Sequence, residues 1–342
     1  MGINLSDLIE PRTVEIGDLS GKTVAIDAYN TIYQFLSIIR QPDGSPLCDR
    51  QGRVTSHLSG ILNRTANLIG QGVEPSFVFD GKPHALKMAT LNERKERRDR
   101  ATAEWEIAIE EGDMKKAFSK AQQTSRMTPE IKASSKELIG YLGLPIIDAP
   151  SDGEAQAAFM CMRGDVWASA SQDFDSILFG TPNLVRNMTI TGRRKVPGKD
   201  LYRDVKTEII DSPGLLNSLE ITREQLVDMC MLIGTDFNPG ISGIGPKKSL
   251  KIIKEMGDLE SYMDKTGNEI SDYKEIRNIF LHSEYTETYN TVPDEIDREA
   301  VIAMLREYDF SVERVTTTLD KLENARKTLK SKKSQRSLDS WF

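Results

Sequence analysis

The chain has 342 residues, 38% of them hydrophobic and 28% charged, with a formal net charge of −7. That content supports a packed core and excludes wholesale disorder, and no apolar run is long enough to span a membrane. An acidic balance argues against nucleic acid as a partner unless the charge is segregated along the chain.

In chain order, "MGINLS" fits the loose N-myristoylation pattern, but nothing downstream supports an anchor, and a signal-peptide pattern is missing. A cytoplasmic protein is expected. "KTVAIDA" (22–28), "PSFVFDG" (75–81), "LPIIDA" (144–149) and "VWASAS" (166–171) read as short buried strands with helical stretches between them. That alternation predicts an α/β fold with a largely parallel sheet. Residues 88 to 128 hold one glycine, no proline and many charges, which predicts helices polar on most faces. Two helical patterns between 223 and 256 flank "NPGISGIGPKK", and after about residue 326 the composition becomes that of a basic tail.

Cys48, Cys161 and Cys230 lie far apart, as in a reduced protein without a disulfide framework. His57, His84 and His282 are equally scattered and give no zinc-ligand spacing. Charge, however, is segregated. Residues 82–100 carry seven Lys/Arg against three acids, residues 186–206 seven against two, and residues 321–336 seven against Glu323 alone. One such run is ordinarily a solvated face. Three of them in an acidic chain predict separate basic surfaces.

The acids fall at strand ends. Asp27 closes the first predicted strand, Asp80 follows the second, and Asp173 and Asp175 follow the fourth. Open parallel sheets bind ligands beyond the carboxyl ends of their strands. An aspartate at one strand end often only bonds its own turn; three strands in four ending this way predict a shared site. "PSDGEAQAAFM" adds Asp152 and Glu154 at a helix start, where Ser151-x-x-Glu154 reads as a capping box. Asp236 lies just past a helix ended by Gly234. Two carboxylates 4 Å apart repel by about 4 kcal/mol at an effective dielectric of 20, so seven together need cations. Oxygen-only ligands favour Mg²⁺ or Mn²⁺, and two such ions are the apparatus of phosphodiester hydrolysis. Lys87 and Arg94, seven residues apart, share a helix face from which both reach a phosphate. The glycines Gly243 and Gly245, followed by Lys247, Lys248 and Lys251 at a helix start, form a phosphate-binding turn of helix-hairpin-helix type.

"AIDAYNTIYQFL", "FVFDGKPHALK", "DGEAQAA", "ASQDFDS" and "IGTDFNPGISGIGPKKSLK", in this order, resemble the structure-specific 5′ nucleases, and the flap endonucleases of archaea most closely. The resemblance covers nearly the whole chain. It implies a mixed sheet between helices, with one nuclease domain over 1–325, a helical arch over 88–128 and a helix-hairpin-helix-like motif over 223–256. It implies that Asp27, Asp80, Asp152, Glu154, Asp173, Asp175 and Asp236 hold two Mg²⁺ ions per subunit, which Mn²⁺ can replace, and that Lys87 and Arg94 act with them. Tyr33 matches the aromatic that stacks beside the scissile phosphate; Gly2 and Arg40 join the DNA-contacting set. The family usually has glutamate where this chain has Asp152. The last eight residues, Gln335-x-x-Leu338-x-x-Trp341-Phe342, resemble the sliding-clamp docking motif at the end of a flexible tail over 326–342. The expected function is cleavage of 5′ flaps at single-strand/duplex junctions in replication and repair, with associated 5′–3′ exonuclease activity, by a monomer with no membrane partner. The alternatives are a bubble-cutting repair nuclease and a catalytically silent DNA- or clamp-binding module; seven acids argue against the silent module, since binding DNA gains nothing from them.

Overall fold

The computed structural model describes residues 3–189, 192–195 and 202–339. A seven-stranded sheet runs through the molecule. Its strands are β1 (Arg12–Val14), β2 (Thr23–Asp27), β3 (Glu74–Phe79), β4 (Ile146–Asp148), β5 (Ala168–Ala170), β6 (Asn183–Arg186) and a late strand, Thr207–Asp211. Between the last two, β7 (Gly192–Lys195) and β8 (Tyr202–Val205) pair antiparallel as a separate ribbon, so Thr207–Asp211 is β9. The spatial order is β1-β9-β6-β5-β2-β3-β4. Strands β2 to β6 are mutually parallel, and β9 pairs antiparallel with both β6 and β1. The expected mixed, largely parallel sheet is therefore present.

All four strands read from the sequence form, and their apolar runs are buried because helices cover both faces of a parallel sheet. Side chains alternate across the strands. Val24, Ile26, Phe77 and Phe79 enter a core with helices α1 (Ala28–Ile38), α2 (Ser56–Gly70) and, further along, α5 (Pro129–Tyr141). Ala25, Val78 and Ile147 face the other way, toward Ala157, Met160 and Cys161 of α6 (Gly153–Met162). A neighbouring core joins α7 (Asp175–Leu178), α9 (Arg223–Ile233), α10 (Pro246–Met256), α11 (Leu259–Thr266) and α12 (Tyr273–Leu281); α8 (Ser212–Leu219) caps its edge.

The polar stretch after residue 87 forms α3 (Met88–Glu110) and α4 (Met114–Ala121), which pack on each other. Of the 23 residues of α3, only Ala101 and Ala108 are buried, as its composition requires. At the far end, α13 (Arg298–Glu307) and α14 (Val312–Asp339) lie against α5 and α2. Here the structure departs from the tail boundary expected at residue 326. The helix crosses it without a break. Leu329 is buried in the same core as Leu319 and Leu322, and the Arg326 guanidinium donates to the carbonyl oxygens of Asp294 and Leu142, each at 2.8 Å. Basic composition did not reveal that one face of this segment is anchored.

Candidate active site

Parallel pairing places the strand ends in register. Asp27 stands opposite Val78, Val78 opposite Ile147, and Ile26 opposite Ala170. The residues that follow, Asp80 after β3 and Ser171 to Asp173 after β5, therefore emerge along the rim that Asp27 marks. Asp27 also caps α1, its Oδ1 accepting from the Asn30 amide at 3.0 Å. Asp80 accepts from the Gly153 amide at 2.7 Å, which ties the start of α6 to β3. A Cβ on Gly153 would lie 2.6 Å from that carboxylate oxygen, so the approach requires glycine.

The capping box read at Ser151 and Glu154 does not form. Asp152 is the N-cap of α6, and Glu154 accepts instead from the hydroxyls of Ser171 at 2.8 Å and Ser176 at 3.4 Å. The tertiary fold offers Glu154 better donors than its own helix end. Asp173 accepts from the Asn30 side-chain amide at 3.0 Å, and Asp175 from the Ile3 backbone amide at 3.0 Å. Asp236 follows Gly234, whose φ of 113° turns the chain out of α9. The two cations arrive from the junction into α3: the Lys87 ammonium bonds Asp152, and Arg94 Nη2 lies 2.5 Å from Asp236. The i,i+7 spacing thus does bring both to one pocket, where they sit on acids.

The electrostatics report crowding. Burial raises the Asp27 carboxyl well above its ordinary value, and the charges of Asp80 and Asp173 raise it further. Burial, then Asp175, Asp27 and Asp173, do the same to Glu154. Asp80 is raised by burial and by Asp152, and Asp175 is pushed up to about 7 by burial, Asp173 and Asp236. Burial works against the charge of Lys87, yet Asp152, Asp236 and Asp80 hold it above the usual lysine value. The acids of the five segments are thus linked through neighbouring charges: Asp80 and Asp173 act on Asp27, Asp152 on Asp80, Asp175, Asp27 and Asp173 on Glu154, and Asp173 and Asp236 on Asp175. The donor set, carboxylate oxygen alone, suits a hard divalent cation. In the described residues Lys87 and Arg94 supply the countercharge, and no three donors already converge on one point.

Residues 1–101 match the XPG N-terminal domain and residues 143–236 the XPG I-region. The chain is 50% identical to flap endonuclease 1 of Archaeoglobus fulgidus and 48% identical to that of Methanosarcina acetivorans, over 100% of both partners in each case. It belongs to the flap endonuclease family. A solved flap endonuclease-1 from Methanococcus jannaschii shares the fold at a TM-score of 0.76 and 36% identity, across 95% of this chain and 98% of that one. The acidic pocket draws on both matched regions: Asp27, Asp80, Lys87 and Arg94 on the first, Asp152 through Asp236 on the second.

The other positions read from the sequence are distributed over several elements of the flap endonuclease fold. Tyr33 is on α1, half-buried, two turns from Asp27. Gly243 has a φ of 78° and Gly245 is the N-cap of α10, with nothing within 4 Å of where a Cβ would stand on either. Lys247, Lys248 and Lys251 are exposed on the first turns of α10. Arg40 is less available: its guanidinium donates to the Gly44 carbonyl at 2.7 Å and to Ser125 Oγ at 3.0 Å, joining the loop after α1 to the one after α4. Gln335 and Leu338 fall on α14, while Gly2, Trp341 and Phe342 lie outside the described residues. Sequence reasoning passed over Ser171, Ser176 and Asn30, whose side chains bond the acids directly. They are ordinary polar residues, and the only sequence signal was their nearness to Asp173 and Asp27.

Proposed function

We infer that this chain hydrolyses DNA phosphodiester bonds at 5′ flaps, at single-strand/duplex junctions, with the acidic rim as its reaction centre. The observation that carries the reading is the gathering of seven carboxylates from five chain segments beside Lys87 and Arg94, in a flap endonuclease fold. Asp27, Asp80, Asp152, Glu154, Asp173, Asp175 and Asp236 would hold divalent cations, two Mg²⁺ or Mn²⁺ per subunit. When bound, these supply Lewis acidity toward water and phosphate. The protein's own part is separate. Lys87 and Arg94 offer donors to the phosphate oxygens as charge builds there. The turn at Gly243 and Gly245 and the lysines at the start of α10 grip duplex backbone through amides and charge. Tyr33 offers a stacking face to a base, worth roughly 1 to 3 kcal/mol. The helices over 88–128 are assigned to the free 5′ strand.

The C-terminal Gln335-x-x-Leu338-x-x-Trp341-Phe342 is assigned to a sliding clamp; burying each aromatic would contribute about 1.5 to 3 kcal/mol. The protein acts as a monomer in the cytoplasm, where the DNA is.

A labelled 5′-flap substrate tests the reading. Cleavage is expected with Mg²⁺ and none with a chelator. Asp173→Asn is expected to abolish cleavage while flap binding, measured at one salt concentration, is kept or tightened, because negative charge facing the phosphates is removed. Wild-type cleavage by that variant would refute the assignment of the rim. Deleting residues 335–342 is expected to abolish clamp binding and leave clamp-free cleavage near wild type.

A further inference from the structure

A line of side-chain hydrogen bonds leads away from Asp173 into the body of the protein. The Asn30 Nδ2 donates to Asp173 Oδ2 at 3.0 Å. The Asn30 Oδ1 accepts from Gln34 Nε2 at 2.6 Å. The Gln34 Oε1 accepts from the Thr189 hydroxyl at 3.0 Å. Its polarity is fixed by chemistry. An ionised carboxylate only accepts, so the Asn30 amide must present nitrogen to it and oxygen behind. Gln34 must then present nitrogen to Asn30, which leaves its oxygen for Thr189. Asn30 and Gln34 are four apart on α1 and share a face. Asn30 has a second role, because its backbone amide bonds Asp27. One residue thereby fixes acids from two different strands. Thr189 is buried. The void beside these residues measures about 10 Å³, so the line is made of direct contacts with space for no more than one water.

The geometry points to Asn30 and Gln34 as positioning residues that hold Asp173 in its orientation, with the Thr189 hydroxyl fixing Gln34 at the far end of the line. This rests on the reading of the rim as a metal centre. Groups that orient a ligand from behind it change metal affinity about 10- to 100-fold when removed. Asn30 is no reactant, so its loss acts on affinity for the cation. The turnover rate at saturating metal stays close to wild type.

The test is a titration of the DNA-free protein with Mn²⁺ alone, followed by paramagnetic resonance. Asn30→Leu is expected to weaken Mn²⁺ binding by about 10- to 100-fold, and Gln34→Leu by a smaller factor. Thr189→Val is expected to weaken it by a few-fold, whereas Thr189→Ser, which keeps the hydroxyl, matches wild type. Cleavage assays with Asn30→Leu should show a raised Mg²⁺ requirement and a recovered rate at saturation. Asp173→Asn is the control for the centre itself. If it binds Mn²⁺ as tightly as wild type, or wild type binds none, the metal reading fails and takes the line with it. If Asp173→Asn loses affinity while Asn30→Leu does not, the positioning inference alone is overturned. Should Asn30→Leu not fold, the Thr189 pair decides: equal affinities for valine and serine overturn the positioning line, and a loss confined to valine supports it.

Discussion

Asp175 sits in a pocket with Asp173, Asp236 and Glu154, and its carboxylate accepts from the Ile3 amide. Its carboxyl is held up to about 7 by burial and by Asp173 and Asp236, against an ordinary value of 3.8. The folded protein therefore binds a proton here that the unfolded chain has already released. A group raised in this way contributes stability that is full below pH 3.8 and lost as the pH rises through about 7. Asp27, Glu154 and Asp80 are raised too and act in the same direction. In chelator, the melting temperature of wild type is expected to fall relative to Asp175→Asn between pH 4 and pH 8. Added Mg²⁺ binds the ionised form, so the rise in melting temperature that it produces should grow with pH. Parallel melting curves for the two proteins would expose an Asp175 that titrates normally.

At the scale of elements, the start of α3 stands over the pocket because Lys87 and Arg94 are both drawn to its acids. Lys87 also lies over the Phe237 ring, 5.2 Å from its centroid, and Thr90 Oγ1 donates to the Asp236 carbonyl at 2.8 Å. The base of the polar helices is thus pinned to the segment after α9 by several contacts. Removing one preorganised donor from a developing charge costs about 100- to 1,000-fold in turnover. Arg94→Ala is expected to lose rate on that scale under saturating flap, with the dissociation constant for flap changed far less. Single-turnover rates beside a binding isotherm measure both. An unchanged rate with weakened binding would make Arg94 a DNA-gripping residue only.

The whole molecule is closed by α14, which lies along α2 and α13. Arg298 holds it through Asp320 at 2.7 Å and Glu323 at 3.2 Å, and Arg326 through main-chain carbonyls. Two truncations separate body from tail. Ending the chain at residue 325 removes the buried Leu329 and the Arg326 anchor, and is expected to cost about 2 to 4 kcal/mol of stability. Ending it at residue 334 keeps both and should leave the melting temperature within a degree or two of wild type. Equal melting temperatures for the two would show that the helix end beyond residue 325 carries no weight in the fold.

How far these features were legible in the sequence depended on whether their cause was local. Runs such as "KTVAIDA" and "PSFVFDG" determined their strands, because an apolar segment bounded by turn residues has few ways to be buried. The polar helices after residue 87 and the turn before Pro246 were written in composition and glycine placement alone. The acids were legible as a group because parallel strands share one rim whatever their order. The order itself, β1-β9-β6-β5-β2-β3-β4, was not, since it depends on crossovers that no single segment encodes. Nor was the fate of Glu154, which a local pattern assigned to a capping box and the packed structure gave to Ser171 and Ser176. The seating of Lys87 on Asp152, 65 residues away, the line from Thr189 to Asp173, and the anchoring of a basic segment through Leu329 share this origin. Residues distant in sequence compete for the same donors and the same buried volume, and only the assembled fold decides which of them meet.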